Sequence, residues 1–155
     1  MSASVTLAIR RHFSVPASSD AVFDVLADVP CSVSHFPKVK RLEDLGQGVF
    51  RWTLEDIAAL GMHHQVVYAC RYSSERQAGT VEWTPVAGQG NAAIAGAWSI
   101  TRGERTHIDL RTEGTLQIPV PGLLAPVVAL PVRQIFEGLI DEYLSNLGDT
   151  FDEMI

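Results

Sequence analysis

The sequence predicts an α+β fold in which an antiparallel sheet of about seven strands wraps a long C-terminal helix, with two short helices after the first strand. Three observations carry that reading. Six consecutive runs with alternation near period two fill the middle of the chain, joined by short glycine-bearing turns. One strand and two short helical stretches precede them. A long amphipathic helix with a wide apolar arc follows.

The elements follow in order. "SVTLAIRRHFSV" (Ser4 to Val15) reads as a strand, with Val5, Leu7 and Ile9 alternating before a double arginine. In "PASSDAVFDVLAD", Ser18 or Ser19 is placed to cap a short helix with Asp20 in its first turn and Val22, Phe23 and Leu26 as its apolar face. "VPCSVSHFP" reads as a second short helix closed by Pro37. The runs "KVKRLEDL", "GVFRWTLEDI", "MHHQVVYACRYSSE", "GTVEWTPV", "NAAIAGAWSITRG" and "RTHIDLRTEGTLQIP" then make a meander. Its turns are placed at Gly46–Gly48, Gly61, Gly79, Gly88–Gly90 and Gly103.

"VRQIFEGLIDEYLSNLGDTFDEMI" closes the chain. At about 100° per residue, Val132, Phe136, Leu139, Tyr143, Leu147 and Phe151 share one face, with Ile140 and Leu144 beside them. Gln134, Glu137, Asp141, Ser145 and Asp149 fill the other. Such an arc is wider than a surface helix needs and suits a helix gripped by a curved sheet.

Composition bounds the function. The chain has 155 residues, 46% of them apolar and 19% charged, with no internal repeat or linker, which fits one domain over residues 1–155 with a sizeable core. A net charge of -6 with scattered Lys and Arg argues against nucleic acid. The start "MSASVTLAIRRHF" has no apolar segment of signal-peptide type, and a cytoplasmic location is expected. Cys31 and Cys70, without CxxC spacing, read as free buried thiols. "QIPVPGLLAPVVALPVRQIF" (Gln117 to Phe136) is apolar but broken by Pro126 and Pro131 and ended by Arg133, short of the roughly 20 helical residues of a membrane span.

The order of elements, with "FSVPASSDAVFDVLADV" entering the first helix, "HFPKVKRLEDLG" leaving the second and "FRWTLE" on a strand, resembles the SRPBCC branch of the START-like superfamily. That superfamily joins lipid-transfer domains, polyketide cyclase/dehydrases and proteins of the birch-pollen-allergen type. The resemblance implies the helix-grip fold, with an apolar cavity between sheet and C-terminal helix, and it speaks to fold far more than to function. In size and order the chain is also similar to the branch that holds the accessory protein of carbon monoxide dehydrogenase. That likeness implies an accessory role with a protein- or membrane-facing apolar patch.

Strand parity supplies a lining for that cavity. His64, Val66, Tyr68, Cys70 and Tyr72 alternate with His63, Gln65, Val67, Ala69 and Arg71; Phe50, Trp52 and Leu54 share a face, as do Val81 with Trp83, Ile94 with Trp98, and Ile108 with Leu110 and Thr112. Small residues in "NAAIAGAWS" leave room for a pocket of a few hundred Å3, on the order usual for ligand sites. Phe36, Trp52, Tyr68, Trp83, Trp98, Leu110, Phe136, Leu139 and Tyr143 are therefore the candidate ligand-binding residues for a polyketide, quinone or lipid-like molecule. Their indole N–H and phenol O–H groups suit a planar, partly polar ligand.

The stretch "PVPGLLAPVVALP", joining the last strand to the long helix, reads as a gate to that cavity, with a static flap and a membrane or partner contact as alternatives.

Chemistry is less well marked. His63 and His64 point to opposite faces of a strand, so no metal site is expected, and no nucleotide or other cofactor motif occurs. His64 is the one weak candidate for general acid/base work. The cyclases of the resembling family imply a pocket arginine and tyrosine. Arg71 in "YACRY" matches in region but lies on the charged face, where a cross-strand partnership with Glu82 or Glu55 suits it better, and Val39 stands where the tyrosine would be. The expected function is binding of a hydrophobic small molecule, with a cyclase or dehydrase as runner-up.

Overall fold

A computed structural model describes residues 3–59 and 62–154, so the turn expected at Gly61 lies outside the described residues. Strand β1 (Ala3–Val15) leads into helices α1 (Ser19–Ala27) and α2 (Val29–Val33), followed by strands β2 (Val39–Gly46), β3 (Val49–Leu54), β4 (Ile57–Ala59), β5 (Met62–His64), β6 (Val67–Glu75), β7 (Thr80–Pro85), β8 (Ala92–Thr101) and β9 (Thr106–Ile118). Helix α3 (Ala125–Asp152) ends the order. Seven strands form one antiparallel sheet in the order β1-β9-β8-β7-β6-β3-β2, while β4 and β5 pair apart from it. With α3 packed on the sheet, this is the helix-grip α+β fold.

Local chemistry accounts for the elements before the meander. Ser18 Oγ accepts from the Ala21 N–H to cap α1, and Asp28 Oδ1 accepts from the Cys31 N–H to cap α2, each satisfying one of the orphan donors of a helix start. The β2–β3 turn is a two-residue loop with Gln47 at φ 55° and Gly48 at φ 78°, the left-handed pair whose twist matches antiparallel strands. On β1, Ala3, Val5, Leu7 and Ile9 are buried and the residues between them exposed, as period two requires.

Two expected runs are each divided in the structure. Chain 49–57 leaves the sheet after Leu54, and 62–75 joins it only from Val67, because the β4–β5 pair peels away between them.

Helix α3 starts at Ala125, well before the expected Val132, after a 3-10 turn at Gly122–Leu124. Pro126 lies in the first turn, where its missing N–H costs nothing, and Pro131 lies within the helix. The expectation of a broken, short stretch is thus corrected: Gly122–Asp152 is long and apolar enough, by length and composition, to cross a membrane. It is nonetheless a core helix, since Val128, Val132, Phe136, Tyr143, Leu147 and Phe151 are buried on its sheet side. Arg11 on β1 clamps its flank, Nε donating to Asp141 Oδ1 at 2.8 Å and Nη2 to Glu137 Oε1 at 3.1 Å. The 3-10 turn and the first turns of the helix leave Leu123, Val127 and Leu130 bare, at 82%, 58% and 60% exposure.

The thiols divide. Cys70 is buried and its Sγ donates to the Ile94 carbonyl at 3.2 Å, whereas Cys31, expected to be buried, is exposed on α2.

Candidate functional site

An internal cavity of about 60 Å3 lies between the sheet, α1–α2 and the middle of α3. Seven aromatic side chains stand in its wall: Phe36, Trp52, Tyr68, Tyr72, Trp83, Trp98 and Tyr143. Six of them close a ring by successive contacts. Trp52 meets Phe36 edge-on at 5.3 Å, Phe36 meets Tyr143 at 5.0 Å, and Tyr143 meets Trp98 at 5.8 Å. Trp98 then meets Trp83 at 6.3 Å and Trp83 meets Tyr72 at 5.8 Å, while Trp52 Nε1 donates to Tyr72 Oη at 2.9 Å and completes the circuit. Tyr68 stacks on Trp52 at 5.5 Å with an interplanar angle of 18°. Edge-to-face and offset contacts of this kind add to the burial of the rings and fix their orientation.

The backbone makes room for this ring. Gly96 on β8 lies opposite Trp83, and a Cβ there would come within 2.5 Å of the indole. The expected free space over the small residues of β8 is therefore taken up by Trp83, which is why the cavity holds about 60 Å3 rather than a few hundred.

Of the residues expected at the site, Phe36, Trp52, Tyr68, Trp83, Trp98, Leu110 and Tyr143 are brought together around this cavity. Phe136 and Leu139 are buried core residues that do not line its wall. Phe136 shares the stripe of Tyr143 but sits two turns earlier, about 10 Å along the axis, and Ile140 takes the place given to Leu139.

His64 does not line the cavity either. It lies on β5, off the main sheet, and its Nε2 is 3.3 Å from Asn91 Nδ2, which also donates to the Gln65 carbonyl. Parity counted back from Tyr72 fails there because the strand is interrupted between His64 and Val67.

Arg71 is exposed and stands opposite Val49 and Thr84, not Glu82 or Glu55. The stretch 119–131 is not among the residues that line this cavity.

Sequence reasoning missed Ser32, whose Oγ is hydrogen-bonded to Tyr143 Oη inside the cavity wall. A serine within a five-residue helix gives no periodic signal, and only the cap at Asp28 fixes which way it faces.

The electrostatics of the wall are those of neutral donors. Burial pushes the Tyr68 and Tyr72 phenols well above their ordinary range, and it raises Tyr143 as well, against the opposing effect of its bond to Ser32. All three are protonated at neutral pH. Among the described residues, Tyr68 Oη and Trp98 Nε1 have no hydrogen-bond partner, yet no fully buried side-chain polar atom is left unpaired. Both residues are buried, and both line the cavity. No described lining residue is a histidine, carboxylate, lysine or arginine. No group of three or more described His, Cys, Asp or Glu residues is placed to hold a metal ion.

No protein-family model matches the sequence, and no curated protein matches it. Solved structures do. The chain is similar to a START superfamily protein from Mycobacterium smegmatis, with a TM-score of 0.66 and 14% identity over 96% of this chain and 99% of that one. It is similar to the Zhui aromatase/cyclase from Streptomyces sp. R1128, with a TM-score of 0.62 and 19% identity over 93% of each chain. A norcoclaurine synthase from Thalictrum flavum, solved with a transition-state analogue, gives a TM-score of 0.63 and 16% identity over 97% of both. At these identities the likeness is one of fold, the helix-grip fold.

Proposed function

We propose that this helix-grip protein binds a small, flat, largely apolar molecule among the aromatic side chains between sheet and α3. The observation that carries the reading is an apolar cavity walled by seven aromatic side chains, among them Tyr68 and Trp98, whose Oη and Nε1 donors have no protein partner. Buried polar groups in a protein core are normally paired, and donors left free beside a cavity suit a guest with acceptor atoms such as carbonyl oxygens. Fold likeness to an aromatase/cyclase and a norcoclaurine synthase agrees with this reading.

Binding is favoured over acid–base catalysis because the titratable groups in the wall are tyrosines whose pKa values burial pushes away from neutrality. At about 60 Å3 the cavity has room for little more than water, so a guest of drug size enters by displacing rings of the aromatic circuit.

The test is a thermal-shift and tryptophan-quenching titration with 1,4-naphthoquinone and a panel of flat ketones. A ligand at a hundredfold its Kd adds about 2.7 kcal/mol of stability. Quenching together with a rise in Tm supports binding at the aromatic circuit. No shift and no quenching across the panel overturns it and favours the accessory-protein reading.

A further inference from the structure

Outside the cavity, between α2 and β2, lies an open groove of about 400 Å3. It is walled by Pro30, Val39, Leu42 and Phe50 and rimmed by Lys40 and Arg41. Val33 and Phe36 belong to both spaces: each lines the inner cavity and also the groove. Phe36 is half-buried, and its ring sits edge-on to Trp52 and tilted against Tyr143.

Its backbone is pinned on one side and turned on the other. His35 Nε2 is 2.8 Å from Thr150 Oγ1, and Asn146 Nδ2 donates to the His35 carbonyl at 2.9 Å, which ties this corner to the end of α3. Two residues on, Lys38 adopts φ 62°, a left-handed conformation that costs a lysine free energy and is held by its carbonyl accepting from the Glu55 N–H at 2.7 Å. The backbone of the corner is thus fixed, so an opening here is left to rotation of the Phe36 side chain away from Trp52 and Tyr143.

We propose that the groove and the aromatic cavity are two compartments of one binding site, with the Phe36 ring as the door between them. The inference rests on the ligand-binding reading above and deepens it. Rotation of one side chain joins the spaces, so the ligand class that fits is an elongated apolar molecule with a flat aromatic end. That end passes Phe36 to reach Tyr68 and Trp98, and the remainder lies along Val39, Leu42 and Phe50. Side-chain rotation of this kind needs no movement of α3 or of the sheet.

The door can be tested without any ligand. Phe36→Ala opens the wall beside Trp52 and is expected to raise the acrylamide quenching constant of tryptophan emission at least twofold, while Phe36→Tyr, which keeps the ring and adds no fluorophore excited at 295 nm, leaves it at the wild-type value. Equal quenching in the wild type and in Phe36→Ala overturns the door. If Phe36→Ala fails to fold by circular dichroism, Phe36→Leu takes its place with an expected rise of about half that size.

The second compartment is tested by stopped-flow binding of 1-anilinonaphthalene-8-sulfonate. Phe36→Ala is expected to raise the association and dissociation rates about tenfold, and Leu42→Ser to weaken affinity at least fivefold. Unchanged affinity in a folded Leu42→Ser protein removes the groove from the site. If neither the wild type nor any variant binds the dye while the acrylamide contrast stands, the ligand-binding reading and the groove's part in it fall and the door remains.

Discussion

Tyr143 and Ser32 join the two helical layers of the molecule by one buried hydroxyl pair, and the consequences of cutting it differ by substitution. Tyr143→Phe keeps the ring contacts to Phe36 and Trp98 but leaves Ser32 Oγ buried with no partner, which costs about 1–3 kcal/mol. Adding Ser32→Ala removes the stranded hydroxyl, so the double mutant is expected to lose less than the sum of the two single mutants. Tyr143→Asp places an unpaired charge in the same apolar wall and is expected to unfold the protein or destabilise it by several kcal/mol, on the order found for buried unpaired charges. Urea midpoints of the four variants and the wild type decide the matter, and a near-wild-type midpoint for Tyr143→Asp contradicts the packing of α3 on the sheet. The place of Tyr143 was legible from helical periodicity alone. Its partner was not, because the direction of Ser32 depends on a cap in a helix of five residues.

Helix α3 shows what periodicity captures and what it omits. The apolar arc from Val132 to Phe151 follows from the spacing of the residues, and each member of its central stripe is buried. The start of the helix was hidden because prolines at 126 and 131 read as breakers. The structure accommodates them for separate reasons. Pro126 is in the first turn. Pro131 deprives the Val127 carbonyl of its helical donor, but Val127 is on the exposed side, where water can serve instead. The same geometry puts Leu123, Val127 and Leu130 on one bare stripe opposite Val128 and Val132. Replacing the three exposed residues with serine is therefore expected to change stability by no more than about 0.5 kcal/mol per site, whereas Val132→Ser costs about 2 kcal/mol or more. Thermal melts of the triple and single variants measure the contrast. A large loss in the triple variant would mean that the stripe is covered in the folded protein.

At the scale of the whole molecule, the antiparallel meander was legible because alternation and short turns are local properties of the chain, whereas the pairing of β1 with β9 joins the two ends of the chain and has no local signal. The size of the cavity was not, since it depends on where Trp83 and Trp98, distant in sequence from Phe36, place their rings. The interior that results concentrates neutral acids in an apolar space, and this makes the fold sensitive to alkali. Burial raises the pKa of the Cys70 thiol from 9.0 to about 12, and Tyr68, Tyr72 and Tyr143 are raised above their ordinary 10.0 by the same cause. In each case the folded state holds the proton more tightly than the unfolded chain. Above pH 9 the unfolded chain therefore releases the Cys70 proton first, binds fewer protons than the native state, and is stabilised relative to it. Stability is expected to be flat up to about pH 8.5 and to fall from there, with Cys70 alone removing about 2 kcal/mol by about pH 10.5 at about 1.4 kcal/mol per unit once its ordinary value is passed. The tyrosines join the decline above their ordinary 10.0. Urea midpoints measured between neutral and alkaline pH should trace that fall, and Cys70→Ala, whatever its own cost in packing, should delay its onset to the range where the tyrosines titrate. A midpoint that stays level through the first stage in the wild type would mean that Cys70 is open to water, and the sheet beneath Ile94 would then have to be packed less tightly than its hydrogen bond to that carbonyl indicates.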